Sequence, residues 1–113
     1  MIKRAAGAVL PVLAATILLA ASPASAAGTG WSSCDRGLCD YAYVEGAIGT
    51  ITDDSDDGIG AGLDLYLSNG EPHAITLDGL GSRARTYNYR IVQARICNWN
   101  GSRLSSCGVW KHF

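Results

Sequence analysis

The stretch that decides the fold is residues 62–77, which read Gly-Leu-Asp-Leu-Tyr-Leu-Ser-Asn-Gly-Glu-Pro-His-Ala-Ile-Thr-Leu. Leu63, Leu65 and Leu67 alternate with other residues and so share one face of a strand, because successive side chains of a strand point to opposite faces. The Asn69-Gly70 pair is the strongest short-range hairpin signal, and residues 73–77 supply the return strand. The stretch therefore predicts an antiparallel hairpin with one buried face.

Short runs with strand propensity continue on both sides of this hairpin. Residues 41–45 and 50–52 are rich in Tyr, Val, Ile and Thr, which are enriched in strands. Residues 85–99 form the longest regular stretch, and their aromatic and β-branched side chains favour a single strand over a helix, although some have helical spacing. Residues 107–113 are predicted as a last strand. Short strands between Gly- and Asp-rich turns predict an all-β fold, a small antiparallel β-sandwich or barrel.

The start of the chain has the features of a secretory signal peptide. Two bases precede an uncharged apolar run over residues 5–21, and Ala24-Ser25-Ala26 fits the small-residue pattern that signal peptidase reads. A membrane-spanning helix is the alternative, but the run is short for a bilayer, which needs ~20 residues, and no stop-transfer cluster follows. We expect residues 1–26 to be removed on export. Residues 27–113 would then form a single secreted β domain with no membrane attachment.

The four cysteines, Cys34, Cys39, Cys97 and Cys107, predict two disulfides in an exported domain. Three pairings are possible, and we favour the two local ones because turn residues lie within each intervening segment. Zinc is the alternative, but the C-x4-C and C-x9-C spacings suit a tetrahedral site poorly, and export argues against free thiolates. Disulfides would matter here because so small a domain buries too little surface to be strongly stable without them.

Charge is divided unevenly along the chain. All ten acidic residues fall between Asp35 and Asp78, whereas the six bases from Gly79 onward have no acid among them. We favour the interpretation that the two halves pair in the sheet and neutralise each other, with a basic binding face as the alternative. Because the exported domain would be net negative, nucleic acid is a poor partner and none is expected.

The run from Asp53 to Gly58, Asp-Asp-Ser-Asp-Asp-Gly, is a weak candidate for calcium binding. Read as an EF-hand loop, it places Asp53, Ser55 and Asp57 at the first, third and fifth positions and Asp64 at the twelfth. The match is poor, since a glycine replaces the apolar eighth residue and both flanks read as strands. We favour a solvated turn, because Asp, Ser and Gly bond their own backbone in turns. No metal and no other cofactor is therefore expected.

The sequence contains no recognisable catalytic constellation. His73 and His112 are the only histidines, and no G-x-S-x-G motif accompanies them. The C-x4-C spacing differs from the C-x2-C motif of thiol oxidoreductases. We therefore expect a protein that is not an enzyme.

An interaction face of aromatic and arginine side chains is the remaining candidate site, formed by Tyr87, Tyr89, Arg90, Trp99 and Trp110. Aromatic residues and Arg are enriched at the centres of protein interfaces. Core packing is the alternative, since a Trp beside a disulfide is common in small β domains. An extracellular protein or a polysaccharide is the expected partner.

Two features carry a resemblance to a known group. They are the run D-x3-D-G-x2-A, which begins at Asp53 and ends at Ala61, and the terminal two-Cys hairpin around Cys97 and Cys107. On these features the chain resembles small secreted actinobacterial proteins of unknown function, and the resemblance covers about half of the chain. The resemblance implies a short extracellular β-sandwich without an assigned activity. We expect a non-catalytic extracellular binding module, with an inhibitor of a secreted hydrolase or a small antagonistic toxin as the alternative.

Overall fold

Strands make up most of the described chain. The structure is a computed structural model that describes residues 27–35 and 37–113, so the signal peptide predicted over residues 1–26 lies outside the described residues. Within the described ranges the chain forms nine strands and no helix: β1 (Thr29–Asp35), β2 (Leu38–Glu45), β3 (Ile48–Asp53), β4 (Gly60–Leu67), β5 (Pro72–Leu77), β6 (Gly81–Thr86), β7 (Ile91–Trp99), β8 (Leu104–Ser105) and β9 (Lys111–His112). The all-β prediction is confirmed.

The strands form two antiparallel sheets. Sheet A has the order β1-β2-β3-β6. Sheet B has the order β8-β7-β4-β5, and β9 pairs with the same edge of β7 as β8 does. The chain passes from sheet A to sheet B after β3, returns to sheet A for β6, and crosses again to β7. The fold is therefore a small antiparallel β-sandwich, as the sequence predicts.

The hairpin over residues 62–77 forms as its sequence predicts, from β4 and β5. Gly70 has a φ of 89°, in the region that glycine enters without steric cost, and its N–H donates to the carbonyl of Leu67 at 2.9 Å. Leu63 and Leu65 are fully buried. They belong to a core between the sheets whose buried members are Ala42, Val44, Ile51, Ala61, Leu63, Leu65, Leu67, Ile75, Ile91, Ala94 and Ile96.

The prediction of a single strand over residues 85–99 is wrong. β6 ends in sheet A and β7 begins in sheet B, so residues 87–90 cross between the sheets. The N–H groups of Tyr87 and Ile91 donate to carbonyls of the β2–β3 turn, each at 2.9 Å. Because these hydrogen bonds satisfy the backbone where it leaves one sheet for the other, tertiary context overrides the strand propensity of this segment.

A β-bulge near the start of β7 changes which residues face the core. Tyr66 pairs with Gln93, but the next residue, Leu67, pairs with Ile91, so β7 contains one extra residue at this point. As a result Ile91 and Ala94 are both buried although they have opposite parity in the sequence. A strictly alternating pattern could not predict this.

The last strand also differs from its prediction. In place of one strand over residues 107–113, the short strands β8 and β9 lie along β7, separated by residues 106–110. The N–H of Gly108 donates to the carbonyl of Ile96 at 2.8 Å, which keeps this segment against β7. Within the same segment, Trp110 packs over Arg95, with the ring centroid 4.4 Å from the guanidinium carbon.

Both predicted disulfides are confirmed. Cys34 and Cys39 are direct partners in the β1–β2 ladder, and Cys97 of β7 is bonded to Cys107. Two formed disulfides in a small β domain fit an oxidising, extracellular environment. A helix long and apolar enough to cross a membrane is not found within the described ranges.

Candidate binding site

The inner face of sheet A ends in an acidic row. This face is defined by Ala42 and Ile51, which are buried in the core. Two residues further toward one end of the sandwich, the same face presents Asp40 of β2 and Asp53 of β3, which are direct partners in the β2–β3 ladder. Two carboxyl groups therefore face each other where the apolar core ends.

Asp53 is a buried carboxylate with one oxygen that lacks a hydrogen-bond donor. Its exposed fraction is 2%. Its Oδ1 accepts a hydrogen bond from the N–H of Ser55 at 3.0 Å. Its Oδ2 is buried and has no partner within the part of the chain that the structure describes. A buried polar atom without a partner costs about 1–3 kcal/mol, and more when it is charged, so Oδ2 needs a donor.

The neighbouring Asp40 can supply that donor when it is protonated. Burial, the negative charge of Asp53, a hydrogen bond to Asp53 and the charge of Asp57, in that order of size, together raise the pKa of Asp40 from 3.8 to about 7. Near neutral pH a large share of Asp40 carboxyl groups therefore carry a proton. A protonated Asp40 donates to Asp53, whereas an ionised Asp40 repels it.

The carboxyl pair lies beside a cavity of about 580 Å³ at this end of the sandwich. Asp40 lines the cavity together with two further acids, Asp35 and Asp57, and no base is found among its described lining residues. The apolar part of its wall consists of both disulfides and three aliphatic side chains, Leu38, Ile59 and Ile96. Leu38 and Ile59 are 46% and 42% exposed, so they mark the mouth of the cavity.

The four residues of the calcium candidate are divided between two places. Asp53, Ser55 and Asp57 belong to the β3–β4 loop, where the N–H of Ile59 donates to Asp57 Oδ1 at 3.0 Å. Asp64 lies on the outer face of β4, and its Oδ2 accepts a hydrogen bond from Arg95 at 3.0 Å. Among the described residues, no three His, Cys, Asp or Glu side chains are grouped so that they could hold a metal ion. The loop has the internal bonding of a turn.

The tryptophans of the predicted interaction face lie on the outer face of sheet B. Trp99 donates from Nε1 to Asp78 Oδ1 at 2.9 Å. Trp110 packs against Arg95 and also lies 5.6 Å from the ring of Tyr66, measured between centroids. Both indoles therefore have partners within the described chain.

The other three residues of that predicted face lie at the crossover between the sheets. Tyr87 packs against the core and against His73, with ring centroids 4.9 Å apart. Its hydroxyl is buried without a partner among the described residues, and burial raises its pKa while Arg85 partly opposes the shift. Tyr89 and Arg90 are exposed.

Sequence reasoning missed the cavity. One signal was available, because Asp40 has the same strand parity as Ala42 and Val44, which are buried in the core. A carboxylate on a core-facing position of a strand is unusual and is a reason to look for a site. Its partner Asp53 could not be inferred, since the pairing depends on the register between β2 and β3.

Comparisons with models of protein families, with curated proteins and with solved structures find no match to this chain. The resemblance to small secreted actinobacterial proteins therefore stays a prediction from sequence. Since a fold alone does not define an activity, the function has to be argued from the site.

Proposed function

We propose that this protein is a non-catalytic extracellular binding module and that the cavity beside Asp40 is its binding site. One observation carries the proposal. The cavity combines an apolar, solvent-exposed mouth at Leu38 and Ile59 with the carboxyl groups of Asp35, Asp40 and Asp57 in its wall. Ligand sites are typically concave and mostly apolar, with a few polar groups that fix the orientation of the ligand.

The construction of the cavity supports binding because its walls are held in place. The Cys34–Cys39 disulfide closes the β1–β2 hairpin directly beside Asp40, and Cys97–Cys107 ties the opposite wall. The hydroxyl of Ser55 donates to the carbonyl of Cys39 at 3.2 Å, which ties the β3–β4 loop to this hairpin. A site that is ordered before binding loses less conformational entropy when the ligand arrives.

The placement of the histidines also supports a binding role. His73 lies 3.3 Å from Glu71 and packs on Tyr87, while His112 is exposed on β9. Neither histidine lines the cavity. The cavity therefore has acids and apolar walls but no described imidazole to act as a base, which favours recognition of a ligand over its chemical conversion.

The proposal is tested by retention from the culture medium of a producing strain. The immobilised protein is compared with a mouth variant, Leu38→Ser with Ile59→Ser, and with a control variant, Tyr41→Ser with Tyr43→Ser. The control residues are 45% and 41% exposed but lie on the outer face of sheet A, away from the cavity. We expect a component of the medium to bind the native and control proteins and to be lost from the mouth variant.

Three results would contradict this function. They are the absence of any retained component, retention that is equal for all three proteins, and chemical conversion of the retained component by the protein. The nature of the component separates the two binding roles, since an inhibited hydrolase indicates an inhibitor, whereas another protein or a wall polysaccharide indicates a recognition module.

A further inference from the structure

We propose that the outer edge of β6 is a second binding site, which takes an extended acidic segment of a partner protein as an additional strand of sheet A. Strand β6 ends sheet A on one side, whereas β1, which contributes to the wall of the cavity beside Asp40, ends it on the other side. The edge of β6 is therefore a separate site, and its role does not depend on what the cavity binds.

The outer edge of β6 presents backbone groups that no strand of the described chain uses. The N–H of Tyr87 donates to the carbonyl of Ala47 at 2.9 Å, and the register between β3 and β6 continues this pairing. Since successive residues of an antiparallel ladder alternate in direction, Arg83 and Arg85 also direct their N–H and C=O groups toward β3. The backbone groups on the open side belong to the alternate residues Ser82, Ala84 and Thr86.

Nothing in the described chain covers this edge, since all six residues of β6 are exposed. Strand β5, the edge of sheet B on the same side of the sandwich, differs because it begins at Pro72. Proline has no N–H to offer a further strand and is a common protection of sheet edges. Strand β6 has no proline, so an extended chain that adds to it gains main-chain hydrogen bonds.

Two arginines determine the charge of the strand that fits this edge. Arg83 is opposite Ile51 and Arg85 is opposite Gly49 in the ladder, so both share the inner face of sheet A. Both are exposed because β6 lies at the margin of the sandwich. All ten acidic residues of the chain belong to the described ranges, and neither arginine forms an ion pair with any of them.

The acids that lie around β6 have other partners. Glu71 lines a cavity of about 450 Å³ together with Arg85, but its carboxylate contacts His73 at 3.3 Å. Asp78, in the loop before β6, accepts a hydrogen bond from Trp99 at 2.9 Å. Acidic side chains at alternate positions of an added strand would supply both arginines with a direct cross-strand partner of opposite charge.

The same arginines argue against a second copy of this chain as the occupant. If two β6 strands paired antiparallel about Ala84, Arg83 of each copy would stand directly opposite Arg85 of the other. Like charges directly opposite each other destabilise a pair of strands, and charged side chains on an edge strand prevent such association. An acidic strand reverses the sign of both contacts, so charge complementarity favours it as the occupant.

The test uses the peptide acetyl-Thr-Glu-Val-Glu-Thr-amide, whose two glutamates share one face of a strand. It is titrated into the 15N-labelled protein produced by a secreting host, and backbone amide shifts and solvent-exchange rates are recorded. We expect shifts along β6 and a dissociation constant of about 1 mM. At 10 mM peptide, exchange should slow about tenfold at the amides of Ser82, Ala84 and Thr86, because the added strand binds them.

Two control peptides separate strand addition from general attraction. The isomer acetyl-Thr-Val-Glu-Glu-Thr-amide has the same charge but places its carboxylates on opposite faces, so it should bind about fivefold more weakly. The lysine analogue acetyl-Thr-Lys-Val-Lys-Thr-amide should bind at least about tenfold more weakly. Equal binding of the isomer, or binding of the lysine analogue that is as tight as that of the first peptide, would overturn the inference.

Two double variants with the same change in charge test the arginines. Arg83→Gln with Arg85→Gln should weaken binding of the first peptide about tenfold. Arg103→Gln with Lys111→Gln is the control, because both residues are exposed and lie at the opposite edge of sheet B from β5. The control should leave binding unchanged, and equal losses in the two variants would contradict the proposal.

The position of the shifts distinguishes this inference from the proposed function. Shifts around Leu38 and Asp40 in place of β6 would assign the peptide to the cavity and overturn the inference. No shift with the first peptide would overturn it as well, and the arginines would then only protect the edge. In neither case is the proposed function affected, since it is tested by the mouth variant in the medium experiment.

Discussion

Two carboxylate regions of this molecule are built in opposite ways. On the outer face of sheet B, Asp64 accepts a hydrogen bond from Arg95 at 3.0 Å, and the ring of Trp110 covers the guanidinium at 4.4 Å. On the inner face of sheet A, Asp40 faces Asp53 without a base among the described lining residues. The first region is complete in itself. Among the described residues, the second is satisfied by a proton held between Asp40 and Asp53, and Asp40 also lines the cavity that we propose as the site.

The difference follows from the strand register and the uneven charge of the sequence. Asp64 comes from the acidic half of the chain and meets Arg95 from the basic half, because β4 pairs with β7. Asp40 and Asp53 both come from the acidic half, because β2 and β3 form a local hairpin. Neutralisation between the halves is thus found at Asp64 but not among the described residues that line the cavity. Each of the following experiments changes one side of this comparison.

The largest effect is expected from the disulfides, both of which contribute to the wall of the cavity. Replacing Cys97 and Cys107 by Ser should cost about 3 kcal/mol, against about 2 kcal/mol for Cys34 and Cys39, because the enclosed chain is longer. The difference should be widened by the burial of Cys97, which is 1% exposed, since a serine hydroxyl there would lack a partner. Urea unfolding midpoints measure both variants. Equal or reversed losses would contradict this ranking.

An intermediate effect is expected from breaking the complete region. Arg95→Met should destabilise the fold by about 1–2 kcal/mol, because it leaves the partly buried Asp64 without its donor and removes the contact with Trp110. The matched control is Arg103→Met, which removes an exposed base that makes no ion pair within the described chain. Thermal unfolding of both variants at pH 7 decides the point. A loss for Arg95→Met no larger than for the control would show that the pair contributes nothing.

A smaller effect of opposite sign is expected from changing the incomplete region. The pKa of Asp40 is about 7 in the folded chain, against an ordinary value of 3.8 that applies when the chain is unfolded. Between these pH values the folded protein therefore binds more protons than the unfolded chain. The contribution of Asp40 to stability is therefore fully present below about pH 4 and is lost as the pH rises to 7. Asp40→Asn should remove this loss, because its amide donates to Asp53 at every pH.

Solvent screening limits the size of that gain, since Asp40 is only partly buried. We expect Asp40→Asn to raise stability by about 1 kcal/mol at pH 8, or ~4–8 °C in the unfolding temperature, and by little at pH 5. The measurement is a series of thermal scans across this pH range with Asp54→Asn as the control. A variant that is less stable than the native protein at pH 8 would contradict the account of the carboxyl pair.

The smallest effect is expected from calcium. Millimolar calcium should raise the unfolding temperature by less than about 2 °C, because the described acids do not form a group that could hold a metal ion. A site with a dissociation constant near 10 μM would give about 2.7 kcal/mol at a hundredfold excess, or a shift on the order of 10 °C. Magnesium serves as the control for simple screening. A large calcium-selective shift that Asp57→Ala abolishes would make the β3–β4 loop a metal site.

The sequence predicts those features of the fold that local chemistry determines. The β4–β5 hairpin follows from alternating leucines and the Asn69-Gly70 turn, and both disulfides follow from cysteines that are close in sequence. Strand β1, in contrast, has a polar sequence and is a strand because its backbone pairs with β2 over its full length. The break between β6 and β7 depends on hydrogen bonds to a turn about forty residues away in sequence, which no local pattern contains.

The candidate site was harder to predict than the fold. The acidic run pointed to Asp53 and Asp57, but as calcium ligands in a loop together with Asp64. In the structure Asp64 is instead hydrogen-bonded to Arg95. The cavity depends instead on Asp40, which is an isolated acid in the sequence and acquires a partner only through the β2–β3 register. Its apolar mouth comes from residues on two separate segments, so it exists only in the folded chain.

The measurement that tests the central claim most directly is the titration of Asp40 by NMR, read from its side-chain carboxyl carbon in the labelled, disulfide-intact protein. The account requires the pKa of Asp40 to lie near 7 because of burial and the charge of Asp53. Asp54 in the same spectra provides an exposed reference carboxyl. Titration of Asp40 at its ordinary value near 3.8 would show that no proton is held between Asp40 and Asp53, and would contradict the account.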